Sequence, residues 1–360
     1  MTEPLTRESL CIKIQKDQGE KGLEIAYKFG IGNRKLHIQK GDGSIYIPLL
    51  RTPKEEELTR LRAELPNFVL EDRFFCEKKT RKKTLREVLE DQLHSSLPAN
   101  LPRALDIVGD LAIIEIPSEL KEKEKIIGDA ILQSHPKIRT VLAKAGAVKG
   151  EYRLREYTVI AGEQATSTYH KEYGCTYKVD LAKAYFSPRL SQEHKRVASL
   201  IQMGETIVDL FAGVGPFSVL AAKTNPAVKI YAVDINPEAV KLLETNVRLN
   251  RVENRVFPIL GDANRVVEEK LLGIADRVIM NLPENAIEFV SAACRAIKSS
   301  GGTLHYYGFV RLPETAQNLQ TRFSEKVKRT GRSVENFQMV KAIRETAPYE
   351  VQVVLDVRIS

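Results

Sequence analysis

The stretch Asp209-Leu210-Phe211-Ala212-Gly213-Val214-Gly215-Pro216-Phe217 decides the fold of this chain. It continues the apolar residues 206–208, which predict a buried parallel strand, and its glycines form a turn tight enough to bring backbone amides against a ligand. Pro216 is a good first helical residue, so a helix is predicted to begin there. A strand, a glycine turn and a helix in this order are typical of a Rossmann-like α/β sheet that holds a nucleotide-like cofactor.

Two further acidic positions follow along the chain. The strand predicted over 229–233 ends at Asp234, whose carboxylate can accept hydrogen bonds from a ribose, and Gly261-Asp262-Ala263 is a third acidic turn. The glycine turn lacks the third glycine that a dinucleotide pyrophosphate requires, so a diphosphate cofactor is not expected. Three acidic turns suit ribose hydroxyls, an adenine amine and an amino-acid ammonium. S-adenosylmethionine carries all three groups and no phosphate, whereas a generic series of strand-to-helix turns is the alternative.

The segment Asn281-Leu282-Pro283 follows a strand predicted over 275–280 and is expected at the mouth of the same site. The proline rigidifies the turn, so the Asn281 amide can meet a planar base. Enzymes that methylate exocyclic amines of bases commonly carry an aromatic residue at the position that Glu284 occupies here. A ring nitrogen of guanine is therefore a more attractive target than the amine of adenine or cytosine.

Length and composition predict a soluble, multidomain enzyme. A chain of 360 residues exceeds what one hydrophobic core usually supports. The four cysteines are far apart, which fits the reducing cytoplasm, and no apolar run predicts a membrane span or a signal peptide. The net charge of +8 suits a polyanionic partner such as RNA. We expect a monomeric, cytoplasmic protein with no membrane partner.

Periodicity predicts three domains, over residues 1–60, 70–185 and 186–360. The first contains a βαββ pattern, the second mixes strands with a helix over 120–135, and the third alternates strands and helices up to a long β pattern at its end. The basic run 78–86 is either a solvated face or a segment that neutralises RNA phosphates.

Four segments in this order resemble the archaeal and eukaryotic tRNA (guanine-37-N1)-methyltransferase family: 150–156, 185–190, 209–217 and 281–283. The resemblance implies a class I methyltransferase domain preceded by two smaller α+β RNA-recognition domains, the first of which docks tRNA. It also implies S-adenosylmethionine as cofactor, tRNA as partner and N1 of guanosine 37, next to the anticodon, as the methyl acceptor. The base must be unstacked to enter such a pocket, which makes separate RNA-gripping domains useful.

Methyl transfer to guanine N1 requires a base for the N1 proton and a cation or donor for the charge that spreads onto O6. Glu193 matches the family's general base, although an acidic residue is also favoured in a first helical turn. Arg153 matches the arginine that stabilises O6, and Arg155, expected on the same side of a strand, is the alternative. Asn281 and Pro283 complete the predicted catalytic set.

The predicted cofactor site consists of residues of the three acidic turns, of Asn281, and of Tyr185 and Arg189, which match family positions near the cofactor. Its members are Tyr185, Arg189, Asp209, Phe211, Ala212, Gly213, Val214, Gly215, Asp234, Ile235, Asp262, Ala263 and Asn281. The six histidines form no metal-ligand pattern, so no metal is expected. Two alternatives stay open. One is a wybutosine-pathway transferase that methylates the tricyclic precursor or moves the aminocarboxypropyl group of the same cofactor, and the other is a non-catalytic RNA-binding module.

Overall fold

The computed structural model describes residues 6–65, 67–78, 85, 87–89, 104–146 and 150–360. The chain divides into two compact units, Met1–Lys83 and Thr84–Ser360. The basic run 78–86 lies outside the described residues except for Lys78 and Leu85, so its predicted role in phosphate binding stays a prediction. Within the described ranges, no helix is both long enough and apolar enough to cross a membrane.

The first unit is a four-stranded antiparallel sheet in the order β2-β3-β1-β4, with helices that bury isoleucines and leucines against it. Its elements are β1 Thr6–Gln15, α1 Gly19–Lys28, β2 Gln39–Gly41, β3 Ser44–Pro48, α2 Glu55–Glu64 and β4 Val69–Cys76. The predicted βαββ order is therefore observed. The predicted boundaries at 60 and 70 are not, because β4 pairs with β1 along eight residues, from Thr6 opposite Cys76 to Lys13 opposite Val69. All but the first residue of this edge strand thus come from the predicted second domain, 70–185.

The second unit begins with a smaller mixed sheet in the order β5-β6-β7-β8. Its strands are β5 Leu105–Val108, β6 Leu111–Ile114, β7 Thr140–Lys144 and β8 Tyr157–Gly162, and α3 spans Glu124–Ser134. Because β6 and β7 are parallel, the chain crosses over between them, and α3 makes that crossing. Ile127 and Ile131 of α3 pack into the core beneath the sheet.

A hairpin of β9 Ser167–Glu172 and β10 Cys175–Asp180 follows. Side-chain amides hold it to the next part of the chain: Asn250 accepts from the Thr176 amide at 2.9 Å, and Asn246 accepts from the Lys178 amide at 2.6 Å. The hairpin's buried face shares one hydrophobic cluster with both neighbouring sheets. The predicted boundary at residues 185 and 186 therefore does not separate two cores in this structure.

The remaining residues form a seven-stranded sheet in the order β13-β12-β11-β14-β15-β17-β16, with helices on both faces. The strands are β11 Thr206–Asp209, β12 Lys229–Asp234, β13 Val256–Leu260, β14 Arg277–Met280, β15 Gly302–Arg311, β16 Val334–Ala347 and β17 Glu350–Ile359. The helices are α4 Ser191–Leu200, α5 Pro216–Thr224, α6 Pro237–Asn250, α7 Ala263–Val266, α8 Val290–Ala296 and α9 Ala316–Lys328.

This sheet confirms the predicted Rossmann-like fold. Strands β11 to β15 are mutually parallel, and β17 and β16 add antiparallel strands at one side. Because parallel strands end at one edge, Asp209 and Asp234, which end their strands, and Asn281, which follows β14, lie on the same side of the sheet. The fold therefore brings the three predicted polar positions to one place.

Candidate active site

The glycine turn connects β11 to α5 as the sequence predicts. Gly213 and Gly215 both have left-handed backbones, with φ of 55° and 89°. The left-handed backbone at Gly215 favours glycine, and a Cβ atom there would also meet Cδ1 of Leu243 on α6 at 2.3 Å. The Gly213 amide donates to Oδ2 of Asp234 at 2.6 Å. The loop is thus held against the end of the neighbouring strand.

A cavity of about 320 Å³ opens above this turn, and we call it the glycine-loop cavity. The predicted cofactor residues that line it are Tyr185, Phe211, Ala212, Gly213, Asp234, Ile235, Asp262, Ala263 and Asn281. Asp209, Val214 and Gly215 are buried behind that surface, and Arg189 lines a neighbouring cavity. Phe211 stands on edge against Phe289, another lining residue, with 5.0 Å between ring centres.

Buried oxygens without a partner lie at this edge of the sheet. Asp209 accepts from the Ser218 hydroxyl at 2.7 Å through Oδ2, while its Oδ1 meets no donor among the described atoms. Burial, with the nearby Asp234 carboxylate adding to it, raises the pKa of Asp209 to about 7. The side-chain oxygen of Asn281 is likewise buried without a described donor. Since buried polar atoms are normally satisfied, this edge suits a ligand that supplies N–H groups.

Asp234 faces the cavity from the end of β12. Its Oδ1 accepts from the Asn236 amide at 2.9 Å and its Oδ2 from the Gly213 amide. Burial raises the pKa of its carboxyl group despite these bonds. Each carboxylate oxygen has a second lone pair, so Asp234 can still accept from ribose hydroxyls. Asp262, the third acidic turn, caps α7 by accepting from the Arg265 amide at 3.0 Å.

A second cavity, of about 430 Å³, adjoins the first, and we call it the arginine-lined cavity. It shares Arg153, Tyr185 and Asn281 with the glycine-loop cavity. Its other walls include Arg155, Arg189, Pro283 and Arg344. The structure therefore gathers the predicted Arg153, Asn281 and Pro283 around two cavities that share wall residues.

Arg153 differs from its prediction in backbone. It lies in a turn with φ of 58°, not on a strand, so Arg153 and Arg155 do not share one side of a strand. Its guanidinium pairs with Glu284, directly after the Asn281-Leu282-Pro283 segment. Arg189 pairs in the same way with Asp106, 2.6 Å away. These two ion pairs thus connect the part of the chain that forms the β5-β6-β7-β8 sheet to residues of the site.

Glu193 lies in the first turn of α4, as predicted, but its side chain is buried and turned into the core. Both of its carboxylate oxygens accept from Arg196, and Oε2 also accepts from the Tyr307 hydroxyl at 3.0 Å. His194, the next residue of this helix, lines the glycine-loop cavity, whereas Glu193 is not among the residues that line it. Its predicted role as general base stays a proposal, and it requires the carboxylate to turn towards the cavity.

His194 is a site residue that the sequence did not predict. Its ring lines the glycine-loop cavity on edge against Phe217, with 4.6 Å between centres, and its Nδ1 lies 2.6 Å from Oε1 of Glu172. Its Nε2 is buried without a described partner. Burial opposes ionisation of Glu172, yet hydrogen bonds from His170 and His194 lower the pKa of Glu172 to about 2. The ionised Glu172 can only accept, so Nδ1 of His194 carries a proton.

Within the ranges that the structure describes, no group of three or more histidine, cysteine, aspartate or glutamate side chains could hold a metal ion.

Family models match two parts of the second unit. Residues 168–338 match the TRM5/TYW2 methyltransferase domain, and residues 85–166 match the TYW2 N-terminal domain. Among curated relatives, tRNA (guanine(37)-N(1))-methyltransferase Trm5b of Pyrococcus abyssi is 46% identical over 264 residues, 71% of this chain and 75% of that protein. Trm5b of Methanocaldococcus jannaschii is 38% identical over 83% of this chain and 86% of its own. The tRNA 4-demethylwyosine(37)-methyltransferase Taw21 of Saccharolobus solfataricus is 34% identical over 71% and 94%.

Solved structures agree with these relatives. Wild-type Trm5b of Pyrococcus abyssi superimposes with a TM-score of 0.71 at 36% identity, over 98% of this chain and 99% of that one. A complex of aTrm5 with tRNALeu gives a TM-score of 0.75 at 33% identity, over 98% and 100%. TYW2 of Methanocaldococcus jannaschii, solved with AdoMet, gives 0.55 at 28% identity, over 71% and 99%. The glycine turn and the acidic strand ends agree with these matches. Because of the family match and the identity to Trm5b, the chain belongs to the archaeal- and eukaryotic-type tRNA (guanine(37)-N(1))-methyltransferase family of TRM5/TYW2 enzymes.

Proposed function

We propose that this enzyme transfers the methyl group of S-adenosylmethionine to N1 of guanosine 37 in tRNA. The observation that supports the proposal is a pair of cavities that share wall residues, one with acidic and amide acceptors and the other lined by arginines. Acceptors suit the hydroxyl and amino groups of the cofactor, and arginines suit an RNA strand. Tyr185 and Asn281 border both spaces, where the two ligands would meet.

The residues of the glycine-loop cavity fit the cofactor by their chemistry. Asp234 would accept from the ribose hydroxyls, and the unpaired side-chain oxygen of Asn281 would attract its ammonium group. Phe211 offers an apolar surface at the same wall. Bound S-adenosylmethionine supplies an electrophilic methyl group on a positively charged sulfur. The protein's task is therefore to orient the base and to manage its N1 proton and O6 charge.

Arg153 would stabilise the charge on O6. It borders both cavities, and its guanidinium, paired with Glu284, can donate from its remaining N–H groups to an oxygen in the shared space. The neighbouring Arg155 lines only the arginine-lined cavity, which favours Arg153 for the oxygen nearest the cofactor.

Glu193 would remove the N1 proton after leaving Arg196. Arg196 would keep a carboxylate partner after that movement, because it also pairs with Asp356 at 2.5 Å. Tyr307 would lose its acceptor at the same time. The substrate base, in entering, would supply the new hydrogen-bond donor to the carboxylate.

The first unit and the small sheet of the second would grip tRNA while the base is unstacked, helped by the net charge of +8. The enzyme would act as a monomer in the cytoplasm. The similarity to Taw21 over 94% of its length favours a second candidate activity, methyl transfer to 4-demethylwyosine at the same position.

One experiment separates these activities. An unmodified tRNA transcript with guanosine at position 37 is incubated with the enzyme and S-adenosylmethionine, and the nucleosides are analysed by mass spectrometry. We expect 1-methylguanosine, and none from a transcript with adenosine at that position. A tRNA that carries 4-demethylwyosine tests the second activity in parallel. Product from it alone would overturn the proposed function, and no product from either would favour a non-catalytic RNA-binding role.

A further inference from the structure

Arg344 presents its guanidinium to the arginine-lined cavity from β16. Its Nε donates to Oε1 of Gln352 at 2.9 Å, its Nη1 to the Ser187 hydroxyl at 2.9 Å and its Nη2 to the Tyr185 hydroxyl at 3.3 Å. A guanidinium has five N–H groups, so two remain after these three bonds. All three acceptors are neutral, and the positive charge is not cancelled by them.

Three of the four other cations of this wall are paired with carboxylates, whereas Arg155, like Arg344, has no carboxylate partner among the described residues. Arg153 pairs with Glu284 and Arg189 with Asp106. Lys144 pairs with Glu115 at 3.1 Å. Arg344 forms no ion pair with any carboxylate among the residues that the structure describes. The cavity thus holds a half-buried arginine whose charge is free to meet an anion.

Gln352, the neighbour of Arg344 on β17, adds an unsatisfied donor. Its side chain lines the same cavity and is 1% exposed. Because Arg344 donates to Oε1, the orientation of the amide is fixed and its NH₂ group is the free end. That Nε2 has no hydrogen-bond partner among the described atoms. A buried donor left without an acceptor is energetically unfavourable, so the site favours a ligand that brings acceptors.

We propose that Arg344 and Gln352, with the hydroxyls of Ser187 and Tyr185, form a binding subsite for one phosphodiester group of the substrate RNA. The inference rests on the proposed function. A phosphodiester carries a full negative charge and two unesterified oxygens, which match an uncompensated guanidinium and the amide beside it. Tyr185 and Ser187 also line the glycine-loop cavity, so a phosphate held here would belong to a nucleotide at the methyl-transfer site.

A guanine face is the competing ligand for the same donors. Arginine commonly binds O6 and N7 of guanine, but those atoms carry partial charges only. The presence of a full, unpaired charge favours the phosphate. The two ligands differ in their salt dependence, because only a phosphate contact releases a counterion from the RNA.

The test measures tRNA binding by fluorescence anisotropy at several salt concentrations, together with cofactor binding by calorimetry. Arg344→Gln should weaken tRNA binding about tenfold and reduce the slope of log affinity against log salt by about 0.7 to 1. Arg344→Lys keeps the charge and should keep the slope. Gln352→Glu places a carboxylate of the same shape beside Arg344 and should weaken tRNA binding at least as much as Arg344→Gln.

The matched control is Arg322→Gln, which removes an arginine paired with Glu314 on the same domain and should leave tRNA binding unchanged. Cofactor affinity should stay within twofold of wild type in all variants. An unchanged salt slope in Arg344→Gln would overturn the phosphate subsite, and a loss of cofactor affinity would assign these donors to the cofactor instead. Anisotropy needs no methyl transfer, so the subsite is tested even if the proposed reaction fails.

Discussion

The hydroxyl of Tyr307 donates a hydrogen bond of 3.0 Å to Oε2 of Glu193, beneath the wall of the glycine-loop cavity. Arg196 joins the same carboxylate to Asp356, so two buried acids share one guanidinium. His305 completes the group, with its Nδ1 2.6 Å from Asp356. Glu193 is therefore both a structural ion-pair partner and the predicted base, and its two roles require separate measurements.

Glu193→Gln should slow single-turnover methyl transfer by about 10² to 10⁴, because an amide keeps the shape of the carboxylate but cannot take the N1 proton. Thermal unfolding should also shift downwards, since the pair with Arg196 is weakened. The matched control is Glu205→Gln, which weakens another Glu–Arg pair, with Arg277 at 2.7 Å, in the same domain. That control should unfold earlier but react at nearly the wild-type rate. Equal rates in both variants would leave Glu193 a structural residue.

Asp234→Ala should weaken S-adenosylmethionine binding by about one to two decades, since a hydrogen bond to a charged acceptor contributes roughly 1.5 to 3 kcal/mol. The variant also frees the Gly213 amide, which Asp234 holds at 2.6 Å. tRNA affinity should stay nearly unchanged. The control is Asp276→Ala, an acid at the opposite edge of the sheet that pairs with Lys298. Calorimetry that finds equal cofactor affinity in both variants would remove Asp234 from the site.

Much of the fold could be predicted from local patterns, since each of its signals lies within a few residues. The apolar run before Asp209, the glycine turn and Pro216 each report on their own backbone, and all three are found as predicted. The pairing of β4 with β1 could not be predicted, because it joins residues about sixty positions apart through backbone bonds that carry no sequence motif. Domain boundaries depend on such pairings.

In the candidate site, too, some residues could be predicted from the sequence and others could not. The acidic strand ends were found because a parallel sheet places them together. The Glu172–His194 pair and the Arg344–Gln352 pair lie on elements whose patterns show only a buried or half-buried face. The ion pairing of Glu193 with Arg196 is a local helical contact, but its turn into the core depends on Asp356 and Tyr307 from distant strands.

Asp209→Asn should change stability in a pH-dependent way. The pKa of Asp209 is raised from an unfolded value near 3.9 to about 7, so folding resists its ionisation. A raised carboxyl pKa means that the stability contributed by the protonated form is full below pH 4 and is lost as the pH rises to about 7. The asparagine does not ionise. Its unfolding temperature relative to wild type should therefore rise between pH 4 and 7 and then level off, and a difference independent of pH would contradict this.

His194→Phe should weaken cofactor binding about tenfold, because phenylalanine keeps a ring at this wall of the glycine-loop cavity but removes the buried, unpaired Nε2. Glu172→Gln should have a smaller effect, since its side-chain oxygen can still accept from Nδ1. His135→Phe, in the small sheet's helical connection, serves as the control. If calorimetry gives His194→Phe the wild-type affinity, His194 acts only in packing against Phe217.

Removal of the whole first unit, residues 1–83, should raise the Michaelis constant for tRNA more than it lowers single-turnover methyl transfer, since the unit is predicted to dock the RNA. Cofactor affinity should not change. A collapse of single-turnover chemistry at saturating tRNA would show that the unit does more than docking.

A shorter deletion provides the matched control for that boundary. Removing residues 1–60 takes away β1 but leaves β4, whose Phe75 is fully buried in the intact unit. The remaining strand would expose its backbone edge and this aromatic ring, a combination that favours aggregation. We therefore expect the 61–360 protein to elute as aggregates in size-exclusion chromatography and the 84–360 protein to elute as a single species. If the 61–360 protein also elutes as a single species, β4 does not depend on β1, and the boundary near residue 60 would be the better one.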